Sequence, residues 1–170
     1  MFFDRETVET LEQFRPAPWE GIVFRHMFAS FSPERENVRG ARWNPPPIPA
    51  IYTSLARKTA IAEAHYYINL QPIMPKARRM VYRIQVTLNS VLDLSDRLTL
   101  SRFGLNEETL ASTDHPDCQR VGGAVEWLEH DGLLIPSART EGVNLVIFPN
   151  RKKPDYRFEV LDFEELPVSI

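Results

Sequence analysis

Apolar and polar positions alternate most clearly in Met80–Asn89 (MVYRIQVTLN), where Tyr82, Ile84, Val86 and Leu88 take turns with Arg83, Gln85 and Thr87. A period of two sends successive side chains to opposite faces, so this segment predicts a strand with one buried and one wet face. Ser90–Leu94 is expected to continue it in extended form. Gly21–Phe28 (GIVFRHMF) predicts a second strand, apolar except at Arg25-His26, and Ala50–Ser54 a short third. Leu133–Pro136, Val143–Phe148 and Arg157–Phe163 predict three more. Two segments follow the helical period instead. Ala56–Leu70 places Ile61, Ala64, His65 and Ile68 at i, i+3, i+4 and i+7, and Pro72 and Pro75 are expected to stop it. Cys118–Glu129 groups Val121, Ala124, Val125 and Leu128 on one face, although Gly122 and Gly123 weaken the helix. Leu98–Ala111 is ambiguous, with a short helix expected around Glu107 and Glu108. Asn37–Pro49, with Gly40 and four prolines, predicts a rigid loop. Strands in irregular order with two embedded helices predict one α+β domain over residues 1–170, not an alternating βαβ sandwich.

Composition narrows the class. The 170 residues are 43% hydrophobic and 25% charged, an ordinary globular balance. A chain of this length buries roughly two thirds of its unfolded surface and needs no staple. Cys118 is the single cysteine, and the absence of any CxxC or Cys/His cluster gives no reason to expect a metal. No run approaches the ~18 apolar residues of a membrane span. Asp4, Arg5 and Glu6 stand where a signal peptide would carry none of them together. A cytoplasmic location without membrane attachment is therefore expected. The net charge of −3 counts against a broad basic surface, leaving Lys76, Arg78 and Arg79 as the longest basic cluster.

Four places put polar groups where apolar ones are expected. Arg25 sits mid-strand: it either points to solvent on the wet face or is a buried-edge guanidinium suited to gripping an anion. Arg39-Gly40-Ala41-Arg42-Trp43-Asn44-Pro45 is either a structural turn with Trp43 in the core or a rim that clasps a phosphorylated ligand. Glu63 has Ala60, Ala64, Tyr67 and Leu70 as helical neighbours, and a carboxylate on an apolar face needs a partner or a purpose. Pro136-Ser137-Ala138-Arg139 follows an apolar strand, either as a turn or as a place where the sheet offers donors to a ligand. His26, His65, His115 and His130 lack metal-site spacing. His26 is expected on the face opposite Arg25, and His65 as a satisfied core residue. No nucleophile elbow, dinucleotide fingerprint or Walker loop is present.

Taken together, FRHMF, GARWNPPPIPAIYTSLARKTAIAE, VTLNSVLDLSD, GLLIPSAR and GVNLVIFPN resemble the RES domain family, named for its Arg, Glu and Ser. The resemblance covers roughly residues 22–150. It implies an ADP-ribosyltransferase-like fold, a toxin that consumes NAD by hydrolysis or phosphorolysis with no metal, and an Xre-type helix-turn-helix antitoxin through which any DNA contact would be indirect. The family's Arg falls on Arg25, its Tyr on Tyr52, its Glu on Glu63, its Ser on Ser137, the Arg of its Arg-Trp pair on Arg42, and its late Asn on Asn144. Two departures occur: Ala41 replaces the usual second Gly before Arg-Trp, and Arg139 interrupts the small or apolar residues after Pro-Ser.

The chemistry implied suits these residues. Arg25 and Arg42 would hold the diphosphate of NAD, and Tyr52 would stack on the cationic nicotinamide. Glu63 would stabilise the oxocarbenium-like transition state, as in glycoside cleavage, and Ser137 would bind the ribose or the carboxamide. Nicotinamide leaves as a neutral ring, so no general acid is required. Two alternatives stay open. One is mono-ADP-ribosylation of a protein, which the lack of a second Glu or Gln at position 61 weakens for arginine targets. The other is an RNA-binding or RNA-cleaving module built on Arg39, Arg42, Trp43 and the Lys76–Arg79 cluster.

Overall fold

The longest strand organises the rest. In the computed structural model, which describes residues 3–73 and 76–168, β3 runs Arg79–Asp93. β1 (Ala17–Phe28) lies antiparallel along one of its edges, from Phe28 opposite Arg79 to Ala17 opposite Val91. The other edge takes β6 (Arg157–Glu165) antiparallel over Met80–Thr87, then β4 (Gly132–Pro136) parallel over Val91–Asp93. β4 pairs with β5 (Val143–Ile147), β5 with β2 (Ile51–Ser54), and β2 returns to β1 through one register pair, Phe24 opposite Ser54. Five strands thus close into a barrel-like core in the order β1, β2, β5, β4, β3, with β6 flanking it. The seam between β2 and β1 is the thinnest part of the ring.

Each side of this sheet carries its own apolar cluster. Val23, Ile51, Ile84, Val86, Leu88, Leu134, Leu145 and Ile147 fill one. Leu133, Ile135, Val146 and Phe148 face the other, against Leu100, Phe103, Val121 and Val125. Successive residues of β4 and β5 therefore enter different clusters, which explains why both strands read as unbroken apolar runs.

Among the described residues, five α-helices accompany the sheet. The two expected from periodicity are α2 (Arg57–Asn69) and α5 (Pro116–Trp127). Pro72 follows α2, while Pro75 lies outside the described residues. The ambiguous segment is two short helices, α3 (Arg97–Ser101) and α4 (Glu107–Ala111), started by the side chains of Asp96 and Asn106. α1 (Arg5–Leu11) was not expected. It begins where Asp4 accepts a hydrogen bond from the Thr7 N–H, and it buries Leu11.

The glycines that weaken α5 have a packing role. A Cβ on Gly122 would lie 1.7 Å from the Trp43 carbonyl oxygen, so only glycine lets the helix touch that loop backbone. Gly40, at φ 94°, turns the chain into the same loop. Trp43 is 1% exposed and belongs to the core. Its loop is thus clamped between α5 and the sheet.

Candidate active site

A cleft of about 210 Å³ opens at the thin seam of the barrel. β1 contributes Arg25, His26 and Met27, β2 Tyr52, β5 Asn144, α2 Glu63 and Tyr67, and the loops Arg42 and Arg139. Past Phe24, β1 has no further register partner on β2, so its free edge borders open space. Side chains from both faces of β1 reach that edge. Opposite faces of one strand do not easily share a site, yet Arg25 and His26 both line the cleft. An adjoining groove of about 500 Å³ continues past Arg25, His26 and Asn37 toward Phe31, Arg35, Arg39 and Arg79.

Glu63 is the focus of the polar network. Its Oε1 accepts hydrogen bonds from Ser137 Oγ at 2.5 Å and from Asn144 Nδ2 at 2.7 Å. Asn144 is itself oriented by Ser54, whose hydroxyl donates to Oδ1 at 2.9 Å. The helical face around Glu63 is split: Ala60 and Ala64 are buried, while Tyr67 and Leu70 are exposed. The carboxylate therefore stands where α2 runs off the core, half-buried rather than solvated.

Ser137, expected to contact the ligand, lies behind the cleft wall. It is 1% exposed, does not line the cleft, and directs its proton to Glu63. Its geometry is that of a group that positions the carboxylate.

Arg25 is buried, which decides against a solvent-facing side chain. Its Nη1 and Nη2 donate to the carbonyls of Pro33 (2.5 Å) and Arg35 (2.7 Å), so it also pins the loop after β1. Burial holds its pKa down to about 10. Arg42 is half-buried, and its Nη1 donates to the carbonyls of Leu110 and Ser112. Burial, with the neighbouring Arg139, lowers its pKa.

Tyr52 presents its ring to the cleft and anchors its hydroxyl behind it. The hydroxyl accepts from Trp43 N–H at 2.9 Å and donates to Asn44 Oδ1 at 2.6 Å. Burial raises its pKa well above the ordinary tyrosine value, so the phenol stays neutral. His65 is satisfied, as expected, through a 2.7 Å contact between Nε2 and the Pro167 carbonyl, but it is half-buried and not part of the core.

Arg139, noted in the sequence within residues 136–139 and as a departure from the family pattern, lines the cleft. Its guanidinium lies 4.3 Å over the Tyr66 ring and donates from Nη1 to the Ala111 carbonyl. Of the residues considered for RNA, Arg39 and Arg79 line the adjoining groove, while Arg42, Trp43 and Arg78 are engaged elsewhere. Arg42 and Trp43 turn inward, Arg78 pairs with Glu165 at 3.1 Å, and Arg79 approaches His26 Nδ1 at 3.3 Å. Among the described residues, no group of three His, Cys, Asp or Glu side chains could hold a metal ion, and no helix is long and apolar enough to cross a membrane.

The model of the RES domain matches residues 18–168. The chain belongs to the RES domain family. The NAD(+) phosphorylase MbcT of Mycobacterium tuberculosis, and the same protein of Mycobacterium bovis, are 28% identical to it over 159 residues, covering 89% of this chain and 86% of theirs. A probable NAD(+) phosphorylase of M. tuberculosis is 39% identical over 67 residues, 39% of this chain and 32% of that one. The RES fold here superposes on a chain of the crystal structure of the M. tuberculosis MbcT–MbcA toxin–antitoxin complex with a TM-score of 0.84. Sequence identity is 25%, and the match covers 96% of this chain and 93% of that one. Arg25, Tyr52, Glu63 and Asn144, which the resemblance picked out, all line one cleft, and Ser137 bonds Glu63 from behind it.

Proposed function

We propose that this RES protein is a bacterial toxin enzyme that cleaves the nicotinamide–ribose bond of NAD. The observation that carries the reading is the Glu63 carboxylate, fixed by two donors at the seam of the barrel, in a cleft that holds three guanidiniums and one carboxylate. Its relationship to proteins named NAD(+) phosphorylase supports the same chemistry.

In this reading the arginines attract the dinucleotide's diphosphate and the Tyr52 ring faces the nicotinamide. Arg25 works from the cleft wall while bracing its own loop. As the C–N bond stretches, its electron pair moves to the nicotinamide nitrogen and cancels the ring's charge. Positive charge then develops on the ribose, where Glu63 meets it. Ser137 and Asn144 keep the carboxylate aimed, so no reorganisation is needed during the reaction. Phosphate is the acceptor we favour, because the relatives are named phosphorylases. Water and a protein side chain are the alternatives, the last corresponding to the transferase reading and to an ADP-ribosyltransferase-like view of the fold.

A toxin of this kind needs restraint in the cytoplasm. We place this chain opposite an antitoxin of Xre helix-turn-helix type, with DNA contacted only through that partner. A toxin–antitoxin complex on the same fold supports the pairing. Incubating purified protein with NAD, with and without inorganic phosphate, tests the reaction. Free nicotinamide together with phosphorylated ADP-ribose is the expected product pair. No nicotinamide under either condition would overturn the reading.

A further inference from the structure

Arg79 Nη1 lies 3.3 Å from His26 Nδ1. A guanidinium has only donors, so the imidazole nitrogen that faces it has to accept. Nδ1 therefore keeps its lone pair, and the one ring proton of His26 sits on Nε2. A doubly protonated imidazole has no lone pair and could not make this contact. The contact fixes both the charge and the tautomer of the ring.

The surroundings act in the same direction. Arg79 lies on β3, with its guanidinium 4.2 Å over the Phe28 ring, which holds it beside His26. Arg25, Arg42 and Arg139 line the cleft with Glu63, and Arg35, Arg39 and Arg79 line the adjoining groove with Glu36. Guanidiniums thus outnumber carboxylates around His26, and an added proton there is repelled. Burial, then Arg79 and Arg25, hold its pKa down to about 4.

The Nε2–H has no hydrogen-bond partner among the described residues. His26 lines both the cleft and the groove, and so stands where the two meet. Its ring packs beside that of Tyr67, with centroids 6.2 Å apart. A neutral donor suits this place, because nicotinamide arrives as a cation that an imidazolium would repel.

We propose that His26, held as its Nε2–H tautomer by Arg79, donates a hydrogen bond to an uncharged oxygen of the substrate, with Arg79 as a positioning residue. The inference rests on the NAD-cleaving reading for the identity of the substrate, though not for the state of the ring. Two oxygens have the right chemistry: the carboxamide carbonyl of nicotinamide and a ribose hydroxyl. His26 transfers no proton in this role and is unchanged when the C–N bond breaks.

The test begins with the ring itself. Long-range proton–nitrogen NMR spectra of the isotope-labelled chain at neutral pH read the protonation of each imidazole nitrogen. His26→Gln identifies the His26 signals by their loss. A bare Nδ1 and a protonated Nε2 are expected in wild type, and Arg79→Met is expected to mix the two neutral tautomers. An imidazolium, or a proton on Nδ1, would overturn the proposal. Nicotinamide alone and ADP-ribose alone are then added in separate arms. A shift of the Nε2 signal with nicotinamide assigns the carboxamide oxygen, and a shift with ADP-ribose assigns a ribose hydroxyl. A signal that neither probe moves contradicts the proposal.

Turnover supplies a second readout. His26→Phe keeps a ring and removes both nitrogens, so KM for NAD should rise about three- to tenfold. His26→Gln offers an amide N–H in place of Nε2–H and should lie closer to wild type. A folded His26→Phe protein with the wild-type KM would refute the donor role, and should that variant fail to fold, the wild-type spectra decide. A wild type whose Nε2 signal responds to a probe, yet which never releases nicotinamide, would instead sink the proposed function and leave the role of His26 standing.

Discussion

Glu63 and Asn144 lie 81 positions apart, yet the amide of one donates to the carboxylate of the other at 2.7 Å. The contact joins α2 to β5 across the mouth of the barrel, and Ser137 at the end of β4 adds a second donor to the same oxygen. A hydrogen bond to a charged group contributes roughly 1.5–3 kcal/mol, a factor of about 10–150. Asn144→Ala and Ser137→Ala are therefore expected to lower kcat about tenfold or more. KM for NAD should change less, because these residues act through the carboxylate. Steady-state nicotinamide release separates the two parameters. A rise in KM alone would assign the pair to substrate binding instead.

Tyr52 divides its work between ring and hydroxyl. Tyr52→Phe keeps the cleft-facing ring and leaves the buried Trp43 N–H and Asn44 Oδ1 without their partner. The expected cost is about 1–3 kcal/mol of stability, with NAD affinity retained in the folded fraction. Denaturant unfolding and NAD binding, measured on the same sample, check both halves of the statement.

Gly122→Ala is expected to be among the most damaging methyl additions in the molecule. The new Cβ would collide with the Trp43 carbonyl, a backbone atom that cannot move without displacing Arg42 and Asn44 as well. Overpacking of this kind typically costs about 1–3 kcal/mol. Activity should fall with stability, since the same loop carries a wall of the cleft. Melting temperature and nicotinamide release should move together.

Much of this was legible in the sequence because strands with one or two buried faces write their period directly into it. The β3 alternation and the unbroken β4 run both mark real strands. Glu63 was legible as a carboxylate out of place on a helix. Arg25, the Arg42 loop and Ser137 were legible in the same way, the resemblance added Tyr52 and Asn144, and the barrel then brings them together. What the pattern does not encode is which strand edges meet. His26 was set apart from Arg25 by strand alternation, and only the thin β1–β2 seam lets both faces of β1 reach one cleft. The partners of Arg42 and Ser137 depend equally on long-range packing. α1 was missed because seven residues carry too short a period, although Asp4 gave a capping signal.

Acid should weaken the fold through its histidines. Burial, with Arg79 and then Arg25 adding to it, holds His26 down to about 4 against an ordinary 6.5. The unfolded chain therefore binds the extra proton between those values. Stability is complete above about pH 6.5 and is lost as pH falls toward 4. His115 and His130 are shifted in the same direction, chiefly by burial, and add to the loss. At roughly 1.4 kcal/mol per pH unit, His26 alone contributes up to about 3 kcal/mol. In His26→Gln, the decline in unfolding free energy from pH 6.5 to 4 should be visibly shallower. An identical slope would remove His26 from the account.

The central claim is that the Glu63 charge carries the chemistry. Glu63→Gln preserves the shape of the side chain and an oxygen that can still accept from Ser137 and Asn144, while removing the charge. Nicotinamide release from NAD by the purified, folded variant is the decisive measurement. A fall on the order of 10²–10³ at an unchanged melting temperature is predicted. Release at the wild-type rate would contradict it.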